Sequence, residues 1–107
     1  MNNELKPQIL CVDDEPDILD ALERTLRRRF EVLSAHSKAE AEALLEANGQ
    51  ISVIISDHIL GDDLGVNFLA KAQKVIPHAS RVLLSGQVDM KSIENAINTA
   101  KIHKFIL

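Results

Sequence analysis

The feature that most constrains this chain is a strict alternation. Short apolar runs rich in β-branched residues take turns with segments whose apolar residues recur every three or four positions. Gln8-Ile9-Leu10-Cys11-Val12 is a compact apolar run that stops at Asp13-Asp14-Glu15, and it reads as a buried strand. Glu15 precedes Pro16, which suits a first helical position, and Ile18, Leu19, Leu22, Leu26 and Phe30 then share one helix face. Arg27-Arg28-Arg29 loads the last turn of that helix with positive charge, favourable at the carbonyl end. Glu31 to Ala35 reads as a second strand. Ser37 and Glu40 form an S-x-x-E capping box for a helix through Ala41, Leu44 and Leu45, which Asn48-Gly49 stops. Ile51-Ser52-Val53-Ile54-Ile55-Ser56 is the clearest strand and ends at Asp57. A loop with Gly61, Asp62, Asp63 and Gly65 leads to a helix carrying Val66, Leu69, Ala72 and Val75, which Pro77 ends. Ser80 to Leu84 is a fourth strand, ending at Ser85-Gly86. Asp89 can cap a helix with Ile93, Ala96, Ile97 and Ala100 on one face, and Ile102 to Leu107 is a fifth strand.

Alternating β and α segments predict an α/β domain: a parallel sheet with helices on both faces, joined by right-handed crossovers. With five strands the expected order is 2-1-3-4-5, doubly wound, with the direction of winding reversing between strands 1 and 3. The 107 residues, 46% of them hydrophobic, suffice for one domain with a real core. Twelve basic and sixteen acidic residues leave a net charge of -4, against the basic excess of a nucleic-acid-binding surface, and three Phe without Trp or Tyr offer few platforms for base stacking. A lone cysteine, Cys11, forms no internal disulfide, suits a reducing cytosol, and reads as a small buried hydrophobe. Apolar runs reach about five residues, whereas a membrane span takes about 20. The N-terminus MNNELKPQ lacks the apolar stretch of a signal peptide, so residues 1–7 are expected as a flexible extension and the location as cytoplasmic.

In such a sheet, ligands bind at the carboxyl ends of the strands where the winding reverses. Strand 1 ends in Asp13-Asp14-Glu15, strand 3 in Asp57 and strand 4 in Ser85-Gly86. Taken singly, the first group reads equally as a helix cap, and Asp57 and Ser85-Gly86 as turn residues. Taken together, at least three carboxylates converge on one crevice. Like charges that close ionise together only with help, and a hard divalent cation such as Mg²⁺ is the simplest help.

These residues carry a resemblance. Ile9-Leu10-Cys11-Val12-Asp13-Asp14-Glu15, then Ile54-Ile55-Ser56-Asp57 with Leu60 three and Gly65 eight residues on, then Val82-Leu83-Leu84-Ser85-Gly86, resemble the receiver domain of two-component response regulators over residues 8 to 107. The resemblance implies a flavodoxin-like receiver fold over 1–107 and a role in phosphorelay signalling. Asp57 would be the phosphoacceptor, taking a phosphoryl group from a sensor histidine kinase or phosphotransfer protein. Asp14, Asp57 and the backbone carbonyl of Ile59 would hold Mg²⁺, with Asp13 acting mostly through water. Ser85 would bond a phosphoryl oxygen, the N–H groups of His58 and Gly86 would add donors, and Ser85 and Phe105 would form the switch. Such a domain assists its own phosphorylation and dephosphorylation without acting on a separate metabolite. Its state would be read by an output domain or effector, and no output domain is expected within the chain.

The chain departs from the family pattern in two places. Gly61 stands where Pro is usual, four residues after the acceptor. The usual Lys, three residues past the aromatic Phe105, would fall one position beyond Leu107, and Lys104 is in the wrong register. Together with a missing fifth helix, this leads to the expectation of an exposed sheet face and a two-fold homodimer. A receiver-like binding module without a phosphate cycle is the alternative that loss of the Lys favours. An aspartyl-phosphate hydrolase wants a second Asp two residues past the nucleophile, where this chain has Ile59. Ile59 and Gln87, two past Ser85, would flank the path of an attacking water. His36, His58, His78 and His103 lack metal-ligand spacing and read as surface or loop residues.

Overall fold

The computed structural model describes residues 6–84 and the backbone of residues 104–106. The elements are β1 (Gln8–Val12), α1 (Pro16–Leu26), β2 (Glu31–Ala35), α2 (Lys38–Ala47), β3 (Ile51–Asp57), β4 (Ile59–Leu60), β5 (Asp63–Leu64), α3 (Gly65–Val75), β6 (Ser80–Leu84) and β7 (Lys104–Ile106). The main sheet has five strands in the order β2-β1-β3-β6-β7, and every pairing in it is parallel. This is the doubly wound order read from the sequence, with the winding reversing between β1 and β3. The helix expected after Asp89 lies outside the described residues.

Alternation along the strands separates two apolar layers. Leu10, Val12, Ile54 and Leu83 point to the face covered by Ala41 and Leu45 of α2 and by Phe68, Leu69 and Ala72 of α3. Ile9, Cys11 and Ile55 point to the other face, where Leu19 of α1 is buried and Leu22, Leu26 and Phe30 pack partly buried. Phe68 is fully buried, whereas Val75, expected on the apolar face of its helix, is exposed.

Local chemistry sets the helix starts. Pro16 occupies the first turn of α1 after an extended Glu15, whose side chain makes no cap. Ser37 Oγ accepts the Glu40 N–H at 3.1 Å, the first half of a capping box. The second half is displaced by one residue: Glu40 Oε1 accepts the His36 N–H, at 2.7 Å, and not that of Ser37. α1 stops at Leu26, so Arg28 and Arg29 fall in the turn beyond it and not in its last turn. The loop expected after Asp57 contains a two-rung antiparallel hairpin, β4 on β5, with Ile59 opposite Leu64 and Leu60 opposite Asp63. Gly61 turns it at φ 61°, in the left-handed region that costs Gly no steric strain.

Register places the functional ends level. Val12 of β1 pairs with Ala35 of β2 and with Ser56 of β3, and Asp57 of β3 pairs with Leu84 of β6. Asp13 and Asp57, each one residue past the Val12–Ser56 rung, therefore emerge side by side.

Candidate functional site

Asp13, Asp14 and Asp57 each offer a carboxylate oxygen within 4.8 Å of the others. Asp13 is buried, Asp57 half-buried and Asp14 exposed. Asp13 is held by the sheet, its N–H donating to Ala35 O at 3.1 Å, and its Oδ1 accepts the Glu15 N–H at 2.9 Å. It thus braces the backbone at Glu15, just ahead of α1, without capping the helix itself. Burial pushes the Asp13 carboxyl up to about 6; the Glu15 N–H opposes this, while the charges of Asp57, Asp14 and Glu15 add to it. Burial also raises the Asp57 carboxyl, opposed by the His58 N–H, with the Asp14 charge pushing up and the His58 ring and the Ile59 N–H pulling down. Two neighbouring carboxyls with raised pKa values mark a site short of positive charge. The donors are all carboxylate oxygens, the set a hard divalent cation prefers.

The chain at the end of β3 is tightly fixed. His58 N–H donates to Leu84 O at 3.0 Å, Gly65 N–H donates to His58 O at 2.7 Å, and Ser56 Oγ–H donates to Asp57 O at 2.9 Å. Gly65 lies so close that a Cβ there would overlap the Asp57 carbonyl oxygen and sit 2.7 Å from Ser56 Oγ. The bare Cα is what lets the start of α3 rest against the end of β3. In the sequence, spacing alone singles out Gly65. The structure supplies the steric reason.

Ile59 projects outward, 52% exposed, two residues past Asp57. The following turn reaches back across the crevice, with the Gly61 N–H pointing at Asp14 Oδ2 at 3.3 Å. The far strand of the hairpin is anchored by a contact the sequence reading missed: Lys38 Nζ donates to Asp63 Oδ2 at 2.7 Å. No local pattern signals it, because 25 residues separate the partners. Of the remaining candidates, Ser85, Gly86, Gln87, His103 and the side chain of Phe105 lie outside the described residues. β6 ends at Leu84, level with Asp57. His36 and His78 are exposed, and His58 is half-buried with Nδ1 lacking a partner among the described residues. Cys11 is fully buried, and burial pushes its thiol up to about 11. Among the described residues no helix is long and apolar enough to cross a membrane.

Residues 9–107 match the family model of the response regulator receiver domain. The hydrogenase transcriptional regulatory protein HoxA of Cupriavidus necator is 39% identical over 99 residues, 92% of this chain. The chain spans only 20% of the length of that relative. Among solved structures, the signal receiver domain of an HD domain-containing protein from Pseudomonas fluorescens Pf-5 superposes with a TM-score of 0.88 at 30% identity, covering 94% of this chain and 81% of that one. A response regulator protein from Burkholderia pseudomallei with a phosphorylated aspartic acid, calcium ion and citrate superposes with a TM-score of 0.86 at 28% identity, covering 94% of this chain and 58% of that one. With the doubly wound sheet and the acidic crevice at its switch point, these matches establish that the chain belongs to the response regulator receiver domain family.

Proposed function

We propose that this receiver domain is a phosphorylation-switched module in which Asp57 accepts a phosphoryl group from a phosphohistidine of a sensor histidine kinase or phosphotransfer protein. The observation that carries the reading is the meeting of Asp13, Asp14 and Asp57 within 4.8 Å at the ends of two adjacent strands. Asp57 is the member of the three followed by a residue fixed from both sides, the His58 N–H by Leu84 O of β6 and the His58 carbonyl by the Gly65 N–H at the start of α3. In the transfer, an ionised Asp57 Oδ forms the new O–P bond as the P–N bond to the donor imidazole breaks, and the imidazole leaves with the bonding pair and takes up a proton. The product is an acyl phosphate.

Little covalent chemistry falls to the protein, whose contribution is positioning and charge neutralisation. Asp14, Asp57 and the Ile59 carbonyl would hold Mg²⁺, with Asp13 acting through water, and the cation would supply the positive charge that the crevice lacks. The raised carboxyl of Asp57 means that a nearby positive charge favours the ionised, nucleophilic form. The N–H of Gly86 and the hydroxyl of Ser85 would donate to the phosphoryl oxygens, whereas the His58 N–H, expected as a further donor, is engaged by Leu84 O. Ser85 and Phe105 would carry the change of state to an output domain or effector, in a cytoplasmic setting.

The test is phosphate uptake from a small phosphodonor such as acetyl phosphate, with and without Mg²⁺. Asp57→Asn is expected to abolish a label that is hydroxylamine-sensitive and Mg²⁺-dependent. Uptake that survives in Asp57→Asn at a hydroxylamine-resistant site refutes the assignment, and absence of uptake in the parent protein with a cognate kinase leaves a binding module as the function.

A further inference from the structure

The hairpin that follows Asp57 turns at an exposed glycine and is tied down at its far strand by side chains from another element. Asp63 Oδ2 accepts from Lys38 Nζ at 2.7 Å, while Asp63 Oδ1 accepts from the Leu64 N–H at 2.7 Å and from Asn67 Nδ2 at 3.0 Å. Both side chains of the ion pair are about one-third exposed, at 34% and 31%, so the pair is only partly screened by solvent. Lys38 is the first residue of α2, where a positive charge opposes the helix dipole. Its place there is therefore not explained by α2 itself. It is explained by Asp63.

The anchor leads directly to the acceptor. Asp63 stands opposite Leu60, and Leu64 opposite Ile59, so fixing Asp63 fixes the strand that carries the Ile59 backbone two residues after Asp57. Between the two short strands lies Gly61, with open space around its Cα and its N–H directed at Asp14. The hairpin is held by the buried Leu60, the Gly61 N–H on Asp14, its own rungs and the start of α3, and this ion pair adds the tie that reaches it from α2.

We propose that Lys38 and Asp63 are a positioning pair for cation binding at the acceptor site: they hold the β4–β5 hairpin so that the Ile59 backbone is in place before the cation arrives. The proposal rests on the reading of Asp13, Asp14 and Asp57 as a Mg²⁺ site. It makes a prediction whose sign separates it from simple electrostatics. Removing a positive charge near an acidic crevice should, by Coulomb attraction alone, tighten Mg²⁺ binding. Loss of the anchor weakens it, because part of the binding free energy then goes to ordering the hairpin.

The experiment measures Mg²⁺ alone, by calorimetric titration, together with metal-free amide hydrogen exchange at residues 59–61. The variants are Lys38→Met, Lys38→Arg, Asp63→Asn and the charge swap Lys38→Asp with Asp63→Lys. Lys38→Met and Asp63→Asn are expected to weaken Mg²⁺ binding roughly threefold and to speed exchange at 59–61 by a similar factor, the size of losing one partly exposed ion pair. Lys38→Arg keeps affinity within about twofold, and the swap recovers most of the loss. Equal or tighter binding in Lys38→Met overturns the proposal, as does a fall in thermal stability with unchanged exchange at 59–61. Asp57→Asn and Asp14→Asn run alongside: if neither alters Mg²⁺ affinity, it is the metal-site reading that has failed, whatever the anchor variants do.

Discussion

Gly65 offers the most demanding test of how the Asp57 end of β3 is held. In Gly65→Ala the new Cβ would overlap the Asp57 carbonyl oxygen, lie 2.7 Å from Ser56 Oγ and 3.0 Å from the Asp57 carbonyl carbon. Ordinary carbon contacts lie at about 3.5–4.0 Å. The neighbours on one side cannot give way easily. Asp57 lies in an interior strand of the sheet, His58 is bonded to Leu84, and Ser56 is fully buried. The start of α3 must therefore lift by about an ångström, which stretches the 2.7 Å bond from Gly65 N–H to His58 O and loosens Phe68 and Leu69 above the sheet. Overpacking costs about 1–3 kcal/mol and a buried bond left unmade about 1–3 kcal/mol. Alanine's better helix propensity returns at most about 1 kcal/mol. The net loss is about 2–4 kcal/mol, a large share of a domain stability of about 5–15 kcal/mol. With a urea slope of about 2 kcal/mol per molar, the middle of the usual range, the unfolding midpoint should fall by about 1–2 M.

Far-UV circular dichroism is the suitable probe, since the chain has no Trp and no Tyr. Gly49→Ala is the control: nothing lies within 4 Å of its Cβ position, and it should leave the midpoint within about 0.3 M. Phosphate uptake by Gly65→Ala, measured where it is still folded, should fall as the lifted start of α3 releases the His58 carbonyl beside Asp57. A Gly65→Ala protein as stable as Gly49→Ala, and as quickly phosphorylated as the parent, would refute the close-packing account of this position.

Asp13→Asn should stabilise the metal-free protein near pH 7 by up to about 3 kcal/mol, from the rise of its carboxyl to about 6. Because the folded pKa is the higher one, the parent loses stability between about pH 4 and 6; the gain should vanish below pH 4, and an equal gain at pH 4 and 7 in urea titrations would contradict the account. Gly61→Pro, although it restores the residue usual in the family, should destabilise the fold and weaken the hairpin: φ 61° is closed to proline, and the N–H facing Asp14 is lost, as thermal melts and amide exchange would show. Ser37→Ala should cost about 1 kcal/mol by removing the α2 cap, read as a lower urea midpoint. Cys11 should resist alkylation in the native state and react only at the rate of unfolding, because its thiol is buried and pushed up to about 11. Ile59→Asn, at an exposed position beside the acceptor, should change the rate of dephosphorylation several-fold with Mg²⁺ affinity nearly unchanged; a constant rate would remove Ile59 from the path of the attacking water.

The parts of this molecule that were legible in the sequence are those that backbone topology decides. Ile9 to Val12 and Ile51 to Ile55 announce buried parallel strands by composition, and once these are strands the winding rule brings Asp13 and Asp57 together without any knowledge of side-chain packing. The misreadings are of another kind. Two-residue strands such as Ile59-Leu60 and Asp63-Leu64 are too short for any periodicity to show, so the hairpin read as plain loop. Arg27 to Arg29 continued the apparent charge pattern of a helix end, but Arg27 already closes α1 and the next two residues turn toward β2. Glu40 matched a capping box in type and spacing, yet its carboxylate reached one amide further back. Lys38 and Asp63 meet because the rotation of α2 and the register of the hairpin happen to agree, and neither quantity is written in either residue's neighbourhood. A parallel sheet has few ways to order its strands, whereas a long side chain has many rotamers and many partners within reach. The crevice that collects the carboxylates follows from the first fact. The contacts that hold its rim follow only from the second, and it is at that rim, at Lys38 and Asp63, that variation would adjust the proposed cation binding while leaving the sheet and its three aspartates in place.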